Sequence, residues 1–501
     1  MSEKHLNNLQ PGDPWKAYPP TQADVTRIKL NQEMQSLYEG EFEGVLKGID
    51  RFKATFQGAR VLDVNFFQTL SQEFSKLLFG EDIVVTVPEK YQEKMDELLA
   101  STELQSKLMQ ISDVTSSIGG CPLKTWRDDN GKVHIDLVSN NIYFPSFDPD
   151  DCMLLTGQTL AWERVDTDTN EKFIVKEIHT PGMVQRIVLD KSYNQDDAQH
   201  QKWYSGIAQE VATGYDGMLV EYVPNYRYSG SFWGISDYKK IKSIVEEIML
   251  RLSSNADILD KHARPKQVLP AELLDKMKEM LQAYRAEMTS TGIISRTEAD
   301  IMTRGDNLPR NLDAVYVPAD LDKGHLPRMV TWDANMQGAM EQLDRLFDVF
   351  LSLSCMTPDV FGISKFGVAE SGRALKFRNM RTLAEANRKR QFLLPALKRI
   401  LRAALSLANV NVELKDIGIV MQDGLPFDEH EATETSATWV SAGLATRVSA
   451  IRNARPDITR ADAEKEAKEI EQQGLDSGFG DDIINLPPRE AVNVNDGELV
   501  S

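Results

Sequence analysis

The residues best able to do chemistry are the histidines and the carboxylate clusters, because they serve as metal ligands and as general acids or bases. The seven histidines are scattered, and none stands at a helical or turn spacing from a second one. A metal site needs such clustering, so we expect the histidines at the surface or in interfaces. The richest carboxylate cluster, Asp148, Asp150 and Asp151, could bind a divalent cation, but the intervening Pro149 favours a solvated turn.

Motifs that hold phosphates or activate a nucleophile are absent from the 501 residues. There is no G-x-x-x-x-G-K-[ST] loop, no G-x-S-x-G elbow and no H-E-x-x-H pair, and the glycine-bearing segment 362–367 fits no dinucleotide-binding spacing. Cys121, Cys152 and Cys355 lie far apart, a pattern that favours neither a disulfide framework nor a zinc site. We therefore expect no enzyme activity, no cofactor and no metal.

Charge is distributed unevenly along the chain. The 57 basic and 76 acidic residues give a net charge of −19, which argues against bulk attraction to nucleic acid. Residues 365–402, however, carry eleven basic side chains against Glu370 and Glu385. This segment is either a basic helix paired with acidic neighbours, in the chain or across a subunit contact, or a surface that faces a polyanion. Residues 428–501 carry 16 acids and 7 bases, so they repel DNA.

The first half of the chain is predicted to be α+β. A polar leader runs to about residue 21, and helices are predicted over 28–49, over 63–78 up to Gly80, and as a pair over 90–117, with an edge strand at 83–87. Short strands are predicted at 121–127, 133–138, 158–165, 171–179, 183–190 and 218–224. The acidic turns at 128–131 and 166–170 are typical of solvated hairpin tips.

Two long amphipathic helices are predicted over 236–262 and 332–354. Ser236 is expected to cap the first helix and Pro265 to end it. The insert between them is predicted to hold a helix over 270–289 with short flanking strands.

A Pro- and Gly-punctuated loop at 356–367 leads into a predicted helix over about 368–407, which Pro395 should kink. One or two strands are predicted at 410–422. Further helices are predicted at 429–442, 446–453 and 459–473. About the last 25 residues have a composition typical of a mobile segment. No apolar stretch approaches the ~20 residues that span a bilayer, and the start lacks a signal-peptide core, so we expect a soluble protein with no membrane contact.

The order of these parts resembles the portal proteins of tailed bacteriophages, in the siphophage-type family with wing, stem, clip and crown. Residues 65–81 resemble that family's early helix and edge strand. Residues 234–238, leading to 256–260, resemble its first stem helix. Residues 367–376, Gly-Val-Ala-Glu-Ser-Gly-Arg-Ala-Leu-Lys, resemble the segment that joins its tunnel loop to the following helix.

The resemblance implies a mainly helical α+β fold. It has an antiparallel-strand wing, two long stem helices, a small α/β clip, a long kinked helix and a helical crown. The implied parts are a leader at 1–21, wing at 22–235 and 372–430, stem at 236–263 and 331–356, clip at 264–330, tunnel loop at 357–371, and crown with acidic tail at 431–501. The apolar faces of the two stem helices would pack on each other and on neighbouring subunits. Alternatively, the two helices would form a hairpin within a monomer.

The resemblance also implies a function. Twelve copies would form a ring at one capsid vertex of the virion, assembled in the host cytoplasm, through which double-stranded DNA is packaged and later ejected. The implied partners are the terminase large subunit, the head-completion adaptor, and the major capsid and scaffolding proteins. Candidate DNA-facing residues are Lys365, Arg373 and Lys376. Candidate residues for motor or adaptor binding in the clip are Arg304, Asp306, Asn307, Lys276 and Lys278.

Two alternatives remain open at the level of the sequence. One is a DNA-processing nuclease, which would need a cation site or a nucleophile. The other is a non-viral, monomeric helical adaptor that binds nucleic acid through the basic helix at 365–402. Such an adaptor would bind short duplexes with a steep salt dependence, whereas a portal ring would bind free duplex weakly.

Overall fold

The computed structural model describes residues 19–476, apart from 56–60, 152, 263–265, 292–315, 320–327, 331–335, 363–371, 422–428, 456–457 and 459. The chain divides into two compact units. The large unit comprises the described parts of 1–363 and 381–424, and the small unit those of 364–380 and 425–501.

Helices account for most of the regular structure in the described residues. The helices of the large unit are α1 (Gln22–Glu39), α2 (Lys47–Thr55), α3 (Phe66–Phe79), α4 (Gln92–Thr102), α5 (Leu104–Ile118), α6 (Asp197–Trp203), α7 (Tyr238–His262), α8 (Ala271–Ser290), α9 (Met336–Ser354) and α11 (Met380–Leu407). The small unit contains α10 (Gly372–Arg378), α12 (Glu429–Ser441), α13 (Arg447–Ala454) and α14 (Arg460–Asp476).

The strands of the large unit form small sheets in a mostly antiparallel arrangement. They are β1 (Val84–Thr86), β2 (Gly120–Arg127), β3 (Val133–Leu137), β4 (Tyr143–Phe147), β5 (Leu155–Val165), β6 (Lys172–Thr180), β7 (Met183–Leu189), β8 (Glu210–Ala212), β9 (Val220–Pro224), β10 (Lys266–Pro270), β11 (Tyr316–Ala319), β12 (Arg328–Val330) and β13 (Gly418–Val420). The sheet orders are β4-β5-β6-β7-β8, β3-β2-β9, β1-β13 and β11-β10-β12, in which only β10 and β11 pair in parallel.

Two hydrophobic cores organise the large unit. The first packs α4, α5 and the second half of α11 against β1, β2 and β3. The second packs α1, α2 and α3 against the apolar stripes of α7 and α9, with Ile241, Val245, Leu343 and Phe350 buried. The expectation that the two long helices pack on each other is therefore confirmed, and they share their core with the N-terminal helices.

The small α/β insert lies between α7 and α9. Strand β10, four residues after α7, pairs antiparallel with β12, which ends six residues before α9, with Lys266 opposite Val330. The end of α7 and the start of α9 therefore lie close together, so the two helices run antiparallel. The predicted end of the first helix at Pro265 lies outside the described residues.

Most predicted elements of the β-rich region are confirmed within one to three residues. The helix pair over 90–117 is present as α4 and α5, and the edge strand at 83–87 is β1. The sequence prediction missed β4, α6 and β8. Strand β4 contains Pro145, and β8 and α6 have three and seven residues, too few to show a periodicity.

Two segments were each predicted as one helix, and each contains two helices in the structure. The apolar stripe over 28–49 is divided between α1 and α2, because Gly40 takes a left-handed conformation (φ +81°) that ends α1. The helix over 368–407 is divided into α10 and α11 at the buried Asn379. Pro395 lies inside α11, and the kink remains a prediction. One strand, β13, is present within 410–422.

Two expectations about polar residues are also wrong. His179 and His200 are buried in the large unit, 1% and 3% exposed, although histidines were expected at the surface or in interfaces. Asp166, in a predicted solvated hairpin tip, is 1% exposed because Lys202 of α6 donates to both of its carboxylate oxygens at 2.9 Å. The turn at 148–151 is solvated as predicted, with the Asp148 carboxylate accepting from the Asp150 amide.

Candidate functional site

The basic segment at 365–402 is mostly paired within the chain along α11. Arg399 donates to Glu221 at 2.9 Å through Nε, and Arg402 donates to Asp216 at 2.8 Å. Arg388 pairs with Glu385, one turn earlier on the same helix, at 3.2 Å. These contacts favour the interpretation of a basic helix neutralised by acidic neighbours, and they make this part of the segment a poor surface for a polyanion.

Two further arginines of α11 bind backbone carbonyls. Arg381 donates to the carbonyl of Ser352 at the end of α9, at 2.7 Å. Arg390 donates to the carbonyl of Leu77 near the end of α3, at 3.2 Å. A guanidinium satisfies the unpaired carbonyls that remain in the last turn of a helix. The basic side chains of α11 thus attach it to two neighbouring helices.

Lys389 is the most buried cation of the segment, at 4% exposure. Its ammonium group forms an ion pair with Asp237, donates to Oδ1 of Asn225 at 2.6 Å, and lies 4.1 Å from the centre of the Phe74 ring. Asn225 in turn donates to Asp237 at 3.0 Å. Because every polar partner of this ammonium is itself buried, the interaction depends on exact placement of four chain segments.

The network around Lys389 continues into α5 and α3. Ser116 donates to the Asp237 carboxylate at 2.7 Å, and Ser71 lies 3.0 Å from Ser116 and 2.7 Å from the Tyr238 hydroxyl. Burial raises the pKa of the Tyr238 hydroxyl, so it remains neutral. We call Lys389, Asp237, Asn225, Ser116 and Ser71 the polar junction. It joins α3, α5 and α11 to Asp237, the residue immediately before α7.

The start of α7 is fixed by the same region. The Ser236 hydroxyl accepts the Tyr238 amide at 3.1 Å, which agrees with its predicted capping role. Tyr226 lies beside it with Lys240 of α7 at 4.7 Å and Arg388 of α11 at 4.4 Å from its ring centre. Burial raises the pKa of Tyr226. The long helix therefore leaves the body of the large unit from a rigid, buried base.

A second buried charge cluster lies in the five-stranded sheet and in β2. Glu177, 1% exposed, pairs with Lys124 at 2.5 Å, with Arg186 at 3.0 Å and with His179 at 2.8 Å. Burial alone would raise the pKa of Glu177, but the His179 hydrogen bond and the two cations hold it well below its ordinary value. Burial lowers the pKa of His179. One carboxylate therefore ties β6 to Lys124 of β2 and to Arg186 of β7, and the cluster joins the two sheets.

The predicted DNA-facing residues are only partly described. Lys365 lies outside the described residues. Arg373 lies on α10, where the backbone is described and the side chain is not. Lys376 lies exposed on the same helix, next to Phe377, which is 68% exposed. Helix α10 thus presents a cation and an aromatic ring at its surface.

The predicted docking residues of the insert are described less completely. Arg304, Asp306 and Asn307 lie outside the described residues. Lys276 is exposed on α8, and Lys278 lies on the same helix with its side chain not described. No group of three or more His, Cys, Asp or Glu side chains that could hold a metal ion is present in the described residues. Likewise, none of the described helices is long and apolar enough to cross a bilayer.

Sequence reasoning missed the polar junction. Asn225 and Asp237 are 164 and 152 residues from Lys389, and no local pattern links them. The one usable signal is the position of Asp237 immediately before a long amphipathic helix, which indicates a capping role rather than a partner for a distant lysine.

Comparison with known proteins assigns the chain to a class. The family model described as "Phage portal protein, SPP1 Gp6-like" matches residues 21–475. The chain therefore belongs to the SPP1 Gp6-like family of phage portal proteins, and its mainly helical α+β architecture is that of a portal protein. This family is one of structural proteins rather than enzymes. No curated protein matches the chain.

Solved structures of phage-like particles are also similar to the chain, at 11% identity. The virion of a native gene transfer agent particle matches with a TM-score of 0.38, covering 81% of this chain and 98% of that chain. The neck of the native particle, computed with C12 symmetry, matches with a TM-score of 0.39 over 78% and 89%. The neck of the empty particle, computed with C6 symmetry, matches with 0.43 over 80% and 91%.

Proposed function

We propose that copies of this portal protein form a closed ring at one capsid vertex, through which double-stranded DNA enters and later leaves the particle. The observation that carries the proposal is the portal family match over 21–475. We further propose a ring of twelve, which binds the terminase large subunit during packaging and the head-completion adaptor afterwards. Contact with capsid and scaffolding proteins belongs to the same proposal.

The architecture of the large unit supports a channel. Helix α7 begins at the polar junction, Arg381 of α11 binds the end of α9, and the small insert lies at the far end of both helices. Long rigid helices standing side by side in a head-to-tail ring form a wall whose bore is set by the ring rather than by one chain. We propose that the stem consists of 236–263 and 331–356, the clip of 264–330, the wing of 22–235 and 372–430, and the crown of 431–501.

The charge of the protein supports weak, sequence-independent contact with DNA. B-form DNA carries one negative charge per ~1.7 Å of its axis, so a strongly basic bore would hold it by counterion release. A chain of net charge −19 avoids this. We propose that the few cations of the tunnel loop and α10, Lys365, Arg373 and Lys376, contact phosphates and centre the duplex.

The clip is the proposed docking surface for the motor and the adaptor. It is held at the end of α7 and α9, away from the polar junction, and α8 carries the exposed Lys276. We propose that Arg304, Asp306, Asn307, Lys276 and Lys278 contribute to this surface. The ion pairs of Lys389, Arg399 and Arg402 within the chain count against the alternative of a monomeric adaptor that binds DNA through α11.

The proposal is tested by the size and shape of the purified chain. Mass photometry should give particles of about twelve times the 56.4 kDa chain mass, and negative-stain microscopy should show rings with a central hole. A 20-base-pair duplex should bind weakly. A chain that remains near 56 kDa at high concentration, with no hole in projection and with steeply salt-dependent duplex binding, would contradict the proposal and favour the adaptor.

A further inference from the structure

The outward surface of α9 carries a row of carboxylates. Glu341, Asp344 and Asp348 are exposed and follow one another at spacings of three and four residues, so they lie along one side of the helix. Asp344 and Asp348 have no ion-pair or hydrogen-bond partner among the described side chains. The same helix exposes two apolar side chains, Val349 at 46% and Leu353 at 40%.

The outward surface of α7 carries the opposite charge. Lys239 and Lys240 are exposed in its first turn, and Arg251 is exposed three turns later, where Glu247 pairs with it at 2.7 Å. No ion pair joins Lys239 or Lys240 to a carboxylate within the described part of the chain. The single interaction of the Lys240 ammonium there is with the face of the Tyr226 ring.

The opposite charges lie at the same end of the helix pair. Because α7 and α9 run antiparallel, the first turn of α7 lies near the last turns of α9, which contain Asp348, Val349 and Leu353. A contact between copies can bring the basic surface of α7 in one copy against the acidic surface of α9 in another. In the proposed head-to-tail ring each copy has two neighbours, and it would use one of these surfaces toward each of them.

We propose that Lys239 and Lys240 of one copy dock against Asp344 and Asp348 of the next. This inference rests on the proposed ring and names the surface that closes it. A second copy is the occupant because it offers a partner to both charged surfaces. A polyanion would bind the lysines alone and would be repelled by the carboxylate row.

Two charge-reversed variants test the contact in the full chain. The first is Lys239→Glu with Lys240→Glu, and the second is Asp344→Lys with Asp348→Lys. Each places like charges across the proposed contact, and like charges at an interface cost several kcal/mol. At a concentration at which the native chain is mainly ring, the ring fraction measured by mass photometry should therefore fall at least about tenfold for each variant alone.

The decisive measurement is an equimolar mixture of the two variants. In the mixture the acidic α7 of the first variant can meet the basic α9 of the second, and the unchanged surfaces can also meet, so rings should re-form. Native mass spectrometry should show the two variants in a 1:1 ratio within each ring. Rings that do not return on mixing, although both variants keep the far-ultraviolet circular dichroism of the native chain, would overturn the proposal.

A control keeps this result separate from the proposed function. Lys94→Glu with Asp129→Lys reverses two exposed charges on α4 and on the β2-β3 turn, and it should leave the ring fraction unchanged. If the native chain forms rings and both test variants form them equally well, the docking surface is wrong and the ring stands. If the native chain itself forms no ring, the proposed function fails, and the docking surface fails with it.

Discussion

At the scale of single residues, the buried Lys389 ammonium is the most consequential group in the described chain. It is held by Asp237 and Asn225 and by the face of the Phe74 ring, and Asp237 also accepts from Ser116. An ion pair of this kind contributes little relative to an apolar core of the same shape, but removal of one partner leaves the other charge buried and unpaired. In this protein the ion pair fixes where α7 begins, because Asp237 immediately precedes that helix.

We expect Lys389→Met to lower the free energy of unfolding by about 3–5 kcal/mol, because Asp237 loses its counter-charge in a buried site. Urea denaturation followed by circular dichroism would measure the change. Lys398→Met is the matched control, since Lys398 lies on the same helix, is partly exposed and has no ion pair among the described residues; it should change the free energy by less than about 0.5 kcal/mol. Equal effects of the two variants would show that the ion pair is not required.

At the scale of elements, the turn after α5 and the loop before α7 cross each other with their backbones in direct contact. Gly119 has φ +102°, and a Cβ added to Gly234 would lie 1.9 Å from the Gly119 carbonyl oxygen. That carbonyl already accepts a hydrogen bond from the backbone N–H of Asn225 at 2.9 Å. The polar junction therefore depends on a glycine crossing that no side chain can enter, and this gives a physical reason for Gly234 in the segment that resembles the first stem helix.

We expect Gly234→Ala to destabilise the large unit by about 2–4 kcal/mol, because the two backbones must separate and strain the polar junction. Gly230→Ala, four residues earlier in the same loop, is the control. Gly230 also has a positive φ (+75°), but nothing lies within 4 Å of an added Cβ, so only the backbone cost of about 1–2 kcal/mol is expected. Thermal unfolding of both variants would measure the difference, and similar melting temperatures would argue against a close crossing.

At the scale of the whole molecule, the basic segment at 365–402 belongs to an acidic chain of net charge −19. The described arginines and lysines of α11 are largely held by Glu221, Asp216 and Asp237. The cations proposed to face DNA are instead those of the tunnel loop and α10. Because phosphate contacts are electrostatic and independent of sequence, their loss should weaken DNA retention uniformly.

We expect Lys365→Ala combined with Arg373→Ala and Lys376→Ala to leave ring assembly intact and to reduce DNA packaging or retention in particles. The reduction should be greatest at low salt, where phosphate contacts contribute most. DNA content per particle, measured by nuclease-protected DNA, is the readout. Arg399→Ala is the control, since Arg399 is paired with Glu221, and it should not reduce DNA content. Unchanged DNA content in the triple variant would show that these side chains do not contact the duplex.

The sequence by itself determined the order of parts, because local periodicity is enough to specify an amphipathic helix or a hairpin. The paired long helices, the insert between them and the six predicted strands of the β-rich region are all present in the structure. The family likeness rested on that order, and the match over 21–475 agrees with it.

Only the tertiary structure decided which charges are free and which are paired. Lys389, Arg399 and Arg402 belong to one basic segment in the sequence, but their partners lie 152, 178 and 186 residues away. The burial of His179 and Asp166 was equally invisible. Glu177, which His179 contacts on the same strand, is held by Lys124 of β2 and Arg186 of β7, and Asp166 is held by Lys202 of the unpredicted α6. Local patterns record the burial of apolar faces, whereas the pairing of charges depends on contacts that exist only after distant segments have packed together.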